Sequence, residues 1–391
     1  MALVKRFIRP AKGSFFLLGP RGTGKTLWMR ETFPDALWIN LLLPKSFRIY
    51  AAKPEQLAEE VDHEMRRRDG QPFTVIIDEV QRVPTLLDVV QATLGQFPAI
   101  RFVLSGSSAR KLRRGGVNLL GGRAIVRHMH PFFAGELGEN FSLEVAMRRG
   151  LLPVVWDAPD AMETLSAYVG GYLDEEVRQE ALVRKLDAFL RFLEVAAFAH
   201  GTVPNRSAIA RECGVSGNTV EAYLAILYEL LIAFSVPSFG RVPKRRDLGD
   251  AKFYFCDAGL CRSLRPARIG LVDAPSQGFV LEGLVAQHLR AWCDYAPNGN
   301  RLYFWRGSGG AEVDFVLCGE RNLWALEVKS AATIHPEHLR GLHAFCAAFP
   351  EARPILLYGG SHRLRRGNVD CIPVECFLRE LHPDRPPVAG S

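Results

Sequence analysis

The chain has 391 residues, of which 48% are hydrophobic and 23% charged, and it carries a formal net charge of +7. It is long enough for two or three domains, each with its own core, and its composition is that of an ordinary globular protein rather than a low-complexity chain. The excess of Lys and Arg favours an acidic polymer, such as a nucleic acid, as a partner.

The sequence carries no signal for export, for a membrane or for a zinc site. Its first residues lack the apolar core of a signal peptide, and no run approaches the ~20 apolar residues of a membrane span. The eight cysteines form no CxxC pair and no zinc-type spacing. We therefore expect a cytoplasmic protein with reduced thiols and no membrane partner.

A glycine-rich turn follows the apolar run 15–18 and precedes a helix-like segment. Its residues are Gly19, Pro20, Arg21, Gly22, Thr23, Gly24, Lys25 and Thr26. This spacing is typical of a P-loop, in which backbone N–H groups surround polyphosphate, the lysine reaches the β- and γ-phosphates and the threonine binds Mg²⁺. The sequence therefore predicts a site for ATP or GTP with Mg²⁺.

A second strand-like run, residues 73–77, ends in Asp78 and Glu79. A buried strand that stops on two carboxylates downstream of a P-loop is typical of the acidic partner that nucleotide hydrolysis requires. We expect Asp78 to hold the Mg²⁺ shell and Glu79 to orient and activate the attacking water. The protein is thus predicted to be an ATPase.

Further strands follow at the spacing of an α/β fold, and one of them, at 101–104, is followed by Ser105 and Ser107. Either serine is a candidate sensor of the γ-phosphate, although polar residues end many strands for turn reasons alone. Arg123 is a candidate arginine finger that reaches the γ-phosphate of a neighbouring subunit. The alternative for Arg123 is a solvated surface arginine.

These motifs, with several later segments, resemble the prokaryotic AAA+ ATPase family whose members carry a C-terminal domain related to restriction endonucleases. The later segments are 149–153, 168–176, 189–194, 252–259 and Glu327-Val328-Lys329. The resemblance therefore covers most of the chain. It implies a ring-shaped homo-oligomer, with a hexamer as one candidate, in which ATP lies between subunits.

The expected fold class is α/β, with four parts in chain order. These are a P-loop AAA+ core at 1–135, a helical connection at 136–186, a winged-helix domain at 187–258 and a restriction-endonuclease-like α/β domain at 259–391. The winged helix is predicted from a short helix, a turn at Gly214, a longer helix capped by Ser216 and two strand-like runs around a basic loop.

A DNA-binding winged helix would place Asn218 and Thr219 in the major groove. Its basic loop would contact phosphates through Lys244, Arg245 and Arg246. The alternative is a module for packing or subunit contact, and Glu221 on the same helix face is unfavourable near phosphate.

The C-terminal part reads as a helix, three strands, a helix and a strand, which is the order of the restriction-endonuclease-like core. Asp314 on the second strand and Glu327 and Lys329 on the third match the acidic set of such a core. Because strand side chains alternate, Glu327 and Lys329 share one face. We expect Asp314, Glu327 and Glu282 to bind Mg²⁺ or Mn²⁺, and Lys329 to orient the attacking water.

Two alternatives apply to this C-terminal part. Glu327 and Lys329 would also form an ordinary salt bridge on a solvated strand, and related folds bind DNA without cutting it. The sequence leaves open whether the domain is a nuclease.

The predicted function is an ATP-driven oligomer that translocates on, or remodels, duplex or branched DNA. Its moving DNA contacts would be Arg110, Lys111, Arg113 and Arg114. One alternative is a nucleotide-controlled DNA-binding switch or regulator without translocation. Another is a scaffolding or signalling ATPase with protein partners, whose basic clusters are ordinary solvated faces.

Overall fold

The computed structural model describes residues 4–108, 124–173, 186–240, 250–265, 274–307, 309–320 and 322–388. The chain packs into two compact units. The large unit comprises Met1–Phe7, Pro131–Tyr228 and Ile232–Ser391, and the small unit comprises Ile8–His130 and Glu229–Leu231. The boundaries between the four predicted parts stay predictions. No helix within the described ranges has the length and apolar character needed to span a membrane.

The small unit is built on a parallel sheet, which has five strands in the described part of the chain. They are β1 (Phe15–Leu18), β2 (Leu37–Asn40), β3 (Thr74–Asp78), β4 (Arg101–Gly106) and β5 (Ile125–His128). The order across the sheet is β2-β3-β4-β1-β5, and every neighbouring pair is parallel. The carboxyl ends of all these strands therefore lie at one edge.

Helices cover this sheet because its strands are apolar on both faces. They are α1 (Lys25–Thr32), α2 (Pro44–Ala52), α3 (Gln56–Arg67) and α4 (Leu86–Gln96). Leu57 and Val61 of α3 and Val90 of α4 pack in the same core as Ile77 of β3 and Leu104 of β4. The predicted mixed α/β fold with a parallel sheet is confirmed for this unit.

The large unit contains a hairpin and a mixed sheet, which has six strands in the ranges given above. The hairpin strands are β6 (Ala233–Pro237) and β7 (Ala251–Phe255); the sheet strands are β8 (Arg301–Arg306), β9 (Glu312–Cys318), β10 (Leu323–Lys329), β11 (Arg353–Tyr358), β12 (Leu364–Arg366) and β13 (Val369–Pro373). The sheet order is β12-β13-β11-β10-β9-β8. The sequence analysis did not predict β12 or β13. β12 is short and fully exposed, so it carries no apolar alternation that would indicate a strand.

The described helices beyond residue 130 are α5 (Ala134–Leu137), α6 (Leu143–Arg149), α7 (Pro153–Trp156), α8 (Ala161–Ala167), α9 (Leu186–Phe198), α10 (Arg206–Cys213), α11 (Gly217–Glu229), α12 (Ala258–Ser263), α13 (Ala274–Tyr295), α14 (Arg340–Ala348) and α15 (Val374–Glu380). Leu284 and Leu289 of α13 pack in one core of the large unit, and Leu342 and Phe345 of α14 pack in another. These inner positions follow the predicted helical spacing.

The hairpin of β6 and β7 attaches to the edge of the six-stranded sheet. Ser238, just after β6, forms a bridge with Phe304 of β8. The Phe239 N–H donates to the Phe304 carbonyl at 2.7 Å. This attachment brings β7 beside the start of β9, where Glu312 and Asp314 lie.

Lowering the pH should destabilise the large unit through His288, which is buried. Its Nε2 accepts from the Ala134 N–H at 3.1 Å, and its Nδ1 lies 2.7 Å from the Leu284 carbonyl, so both nitrogens suit the neutral ring. Burial lowers the pKa of His288 to about 4. The unfolded chain takes up this proton near pH ~6.5, so the free energy of unfolding falls as pH drops through this window, by about 2 kcal/mol at pH ~5.

Urea unfolding at several pH values, followed by tryptophan fluorescence, measures this effect, because Trp292 and Trp324 lie in the same core as Leu284 and Leu289. The variant His288→Gln cannot take up a proton and should lose this part of the pH dependence. An equal pH dependence in the variant and the parental chain would assign the effect to other groups.

Candidate functional site

The predicted P-loop connects β1 to α1 at the carboxyl edge of the small sheet. Gly24 has φ 88°, a left-handed conformation that favours glycine, and the helix begins at the next residue. The Lys25 ammonium donates to the carbonyls of Gly19 and Pro20 at 2.7 and 3.1 Å, and the Thr23 hydroxyl donates to Pro20 at 2.8 Å. The loop thus holds a buried cation beside a helix N-terminus, which suits a polyphosphate anion.

The other loop residues fit the same shape. A Cβ at Gly19 would lie 2.3 Å from the Met129 carbonyl oxygen, so the first loop position has no room for a side chain. Gly22 is half-buried, and Arg21 beside it is exposed. The loop therefore packs against the end of β5 and turns its arginine to solvent.

Thr26 and Asp78 meet at the edge of the sheet. The Thr26 hydroxyl donates to Asp78 Oδ2 at 2.9 Å, and Asp78 Oδ1 accepts from the Ser105 hydroxyl. Asp78 is fully buried at the end of β3. A hydroxyl and a carboxylate side by side at a P-loop are the oxygen ligands that Mg²⁺ takes beside nucleotide phosphates, so the residues present fit this ion.

Glu79 follows Asp78 in a left-handed backbone conformation with φ 62°. For a residue other than glycine this conformation costs about 1 kcal/mol, and such strain is concentrated at functional sites. The Glu79 N–H donates to Ser105 Oγ at 3.1 Å, and Glu79 Oε2 lies 3.5 Å from Ser107 Oγ. Ser105 therefore links both acids, whereas Ser107 faces Glu79. The sensor role of either serine stays a prediction.

Gln81 completes this group, and the sequence did not point to it. It is buried in the single helical turn Val80–Arg82. Its Nε2 donates to Glu79 Oε2 at 2.5 Å and to Ser107 Oγ at 3.1 Å. The sequence signal was weak, because a polar residue just after a strand is common in turns.

Replacing Gln81 with Ala should lower kcat for ATP hydrolysis about 10-fold with little change in ATP affinity, because Glu79 loses the donor that fixes its carboxylate. Phosphate release at saturating ATP and equilibrium ATP binding measure the two quantities. Gln96→Ala, at the exposed end of α4, is the matched control. A parental kcat in Gln81→Ala would show that Glu79 is held without this contact.

A second group of acids lies in the large unit, where the sequence predicted a metal site. Asp314 is on β9, Glu327 and Lys329 are on β10, and Glu282 is on α13. Asp314 Oδ2 accepts from the Val328 N–H at 2.9 Å, and Lys329 donates to Glu327 Oε1 at 2.5 Å. Burial, followed by the charge of Asp314, raises the pKa of Glu327 to about 8 and that of Glu282 to about 7.

A buried lysine lies at the centre of these acids, and the sequence did not assign it there. The Lys252 side chain, on β7, is 4% exposed, and its Nζ lies 3.1 Å from Glu282 Oε1, 2.8 Å from Glu312 Oε1 and 3.3 Å from Asp314 Oδ1. Burial lowers the pKa of Lys252, but Asp314, Glu282 and Glu312 outweigh it and hold the pKa above its ordinary value. The one sequence feature that points to this role is a lysine within an otherwise apolar strand.

The predicted Mg²⁺ or Mn²⁺ site does not fit this arrangement. A divalent cation would need the oxygens that Lys252 occupies, and the two positive charges would repel each other. Within the described ranges, no group of three or more His, Cys, Asp or Glu side chains is placed to hold a metal ion. In this structure Glu282, Asp314, Glu327 and Lys329 belong to a charge network around Lys252. Their metal-binding and water-orienting roles stay predictions.

Two of the predicted DNA contacts lie at the start of α11. Asn218 is exposed, whereas Thr219 is half-buried, and its N–H and hydroxyl lie 3.2 and 2.9 Å from Ser216 Oγ. Glu221 pairs with Arg206 at 3.5 Å. Thr219 thus takes part in the helix cap, and Asn218 is the better placed of the two for a ligand.

The other predicted DNA contacts and the candidate arginine finger lie outside the described residues. They are Arg110, Lys111, Arg113, Arg114, Arg123, Lys244, Arg245 and Arg246. Their roles stay predictions.

Three family models match successive regions of the chain. Residues 11–138 match a family described as AAA domain. This match covers about a third of the chain, including the small parallel sheet. Residues 140–270 match a Domain of unknown function (DUF8612), and residues 277–377 match a Domain of unknown function (DUF4143). The AAA domain contains both the P-loop and Glu79, which indicates an ATPase of the AAA type.

The other comparisons add no function. No curated protein matches the chain. The crystal structure of protein VC1899 from Vibrio cholerae is 12% identical over 94% of this chain and 96% of that chain, with a TM-score of 0.21, which is too low to carry an argument. The winged-helix and restriction-endonuclease-like assignments therefore stay predictions.

Proposed function

We propose that the protein hydrolyses ATP in its AAA domain and uses this turnover, as a homo-oligomer, to translocate on or remodel DNA. The observation that supports hydrolysis most directly is the 2.9 Å hydrogen bond between Thr26 and Asp78, which joins the P-loop to the acidic end of β3. Glu79 lies beside them, with its carboxylate held by Gln81. The side chains proposed to bind phosphate, to bind the metal ion and to activate water therefore lie next to one another.

Each side chain has its own part in the proposed hydrolysis. Lys25 neutralises charge on the phosphates, and Thr26 and Asp78 would hold Mg²⁺, which when bound neutralises further charge on the phosphate oxygens. Glu79 orients the attacking water and accepts its proton, while Gln81 keeps the Glu79 carboxylate in place. In a ring-shaped oligomer, a hexamer being one candidate, Arg123 would supply positive charge from the neighbouring subunit.

The proposal for DNA is supported by charge and by exposure. The net charge of +7 favours a polyanion, and Asn218 is exposed at the start of α11 behind a capped turn. The basic residues at 110–114 and 244–246 are the proposed phosphate contacts. We propose the C-terminal part as a nuclease-like module that binds DNA without cutting it, because Lys252 lies where the metal would bind.

DNA affinity should fall steeply with salt between about 50 and 200 mM, with a slope of several units in log affinity against log salt, because several basic residues release counterions. Reversing the charges of Lys244, Arg245 and Arg246 to Glu should flatten this slope. The matched control reverses Lys45, Arg48 and Lys53, which are exposed in the small unit. If the slope of log affinity against log salt is equal in both variants, residues 244–246 do not contact the DNA phosphates. If the parental chain does not bind DNA at low salt, the proposed action on DNA is contradicted.

A further inference from the structure

The acids around Lys252 form what we call the carboxylate pocket. It consists of Glu282, Glu312, Asp314 and Glu327. Lys252 is the most buried cation that contacts this pocket among the described residues, since its side chain is 4% exposed and that of Lys329 is 33% exposed. Three carboxylates lie within ion-pair distance of this one ammonium, so Lys252 is the cation that balances their charge.

The carboxylates of the pocket already make ion pairs and hydrogen bonds with other groups of the protein. Glu312 also pairs with Arg306 at 2.9 Å. Asp314 accepts from the Val328 N–H, and the Asp314 N–H lies 3.4 Å from Glu327 Oε2. A metal ion would therefore have to displace both a buried ammonium and hydrogen bonds of the backbone.

The backbone of the hairpin fixes Lys252 in this place. Lys252 pairs with Val236 in the ladder of β6 and β7. Tyr254, two residues along and on the same strand face, donates to Glu282 Oε1 at 2.6 Å. The ladder of β6 and β7 and the contact of Tyr254 therefore hold the backbone of Lys252 beside the pocket.

We propose that Lys252 is the resident cation of the carboxylate pocket, that it takes the place of a divalent metal ion there, and that it fastens the hairpin to the six-stranded sheet. The pocket of this chain then excludes Mg²⁺ and Mn²⁺ and catalyses no DNA cleavage. Removing the ammonium takes one cation away from Glu282, Glu312 and Asp314, and carboxylates are ligands that suit Mn²⁺. This proposal is independent of ATP hydrolysis in the small unit.

Titration of the nucleotide-free full chain with Mn²⁺, followed by calorimetry, tests the proposal. The parental chain should show no Mn²⁺ binding that depends on Asp314, as judged against the variant Asp314→Asn. Lys252→Met should bind Mn²⁺ at least about 10-fold more tightly than the parental chain, because one opposing charge is gone. Lys329→Met is the comparison, because Lys329 pairs with Glu327 and its side chain is 33% exposed against 4% for Lys252, so its removal should strengthen Mn²⁺ binding less than Lys252→Met does.

Two results would overturn the proposal. One is Mn²⁺ binding by the parental chain that Asp314→Asn abolishes, and the other is a folded Lys252→Met chain that binds Mn²⁺ no better than the parental chain. Circular dichroism shows whether the variant folds, since loss of one partner of a buried ion pair is strongly destabilising. If Lys252→Met does not fold, the comparison of the parental chain with Asp314→Asn decides whether the pocket excludes the metal.

Discussion

Replacing Glu79 with Gln should lower the turnover number for ATP by about 100-fold or more, while ATP still binds with nearly the parental affinity. Gln has the shape of Glu, so the contact with Gln81 Nε2 can persist through the amide oxygen. What the variant loses is the negative charge that accepts a proton from the attacking water. The Thr26–Asp78 pair and the P-loop, which bind the nucleotide, are not changed.

Phosphate release at saturating ATP and equilibrium binding of ATP separate these two effects. The matched control is Glu31→Gln, an exposed position on α1, which should keep the parental rate. If the Glu79→Gln chain hydrolyses ATP at the parental rate, the base lies elsewhere and the assignment of Glu79 is wrong.

Replacing Lys25 with Ala should weaken ATP binding by about 100-fold or more. The Lys25 ammonium is buried inside the loop and contacts the carbonyls of Gly19 and Pro20, so its charge lies where the phosphates are expected. Loss of a charge-assisted hydrogen bond to a phosphate removes about 3 kcal/mol, which corresponds to that factor.

Calorimetric titration with ATP and Mg²⁺ measures the affinity directly. Lys45→Ala, an exposed lysine on α2, is the matched control and should bind ATP like the parental chain. An unchanged dissociation constant in Lys25→Ala would place the nucleotide outside the P-loop and would remove the basis of the proposed hydrolysis.

The nucleotide site was predictable because its residues follow strands that the sequence defines well. β1 is a short apolar run followed directly by the P-loop, and β3 is a short strand that ends on Asp78. Parallel strands end at a common edge, so Thr26, Asp78 and Ser105 come together there. The side-chain contact between Thr26 and Asp78 then follows from the order of the strands.

Lys252 was not predictable in the same way. Its contact with Asp314 joins residues 62 positions apart, from a hairpin and from a different sheet. Periodicity places a side chain on a face of its own strand, but it does not state which strand of another sheet lies opposite. The sequence therefore predicted that the acids of the pocket bind a metal ion, whereas in the structure they contact the Lys252 ammonium.

The role of Gln81 was not predicted from the sequence, for a related reason. It lies in a single helical turn after a strained residue, and the direction of its side chain depends on the left-handed conformation of Glu79. A sequence pattern does not specify such a conformation at a residue other than glycine. Its role follows only from the contacts with Glu79 and Ser107.

The measurement that tests the central claim most directly is the rate of ATP hydrolysis by the full chain with and without DNA. Linear duplex, branched and single-stranded DNA are compared at low and high salt, with the Glu79→Gln chain as the blank. The proposal predicts measurable turnover that at least one of these DNAs increases at low salt, and an increase that salt removes. A rate that none of them changes would contradict action on DNA and favour protein partners, and absent turnover with bound ATP would contradict the ATPase itself.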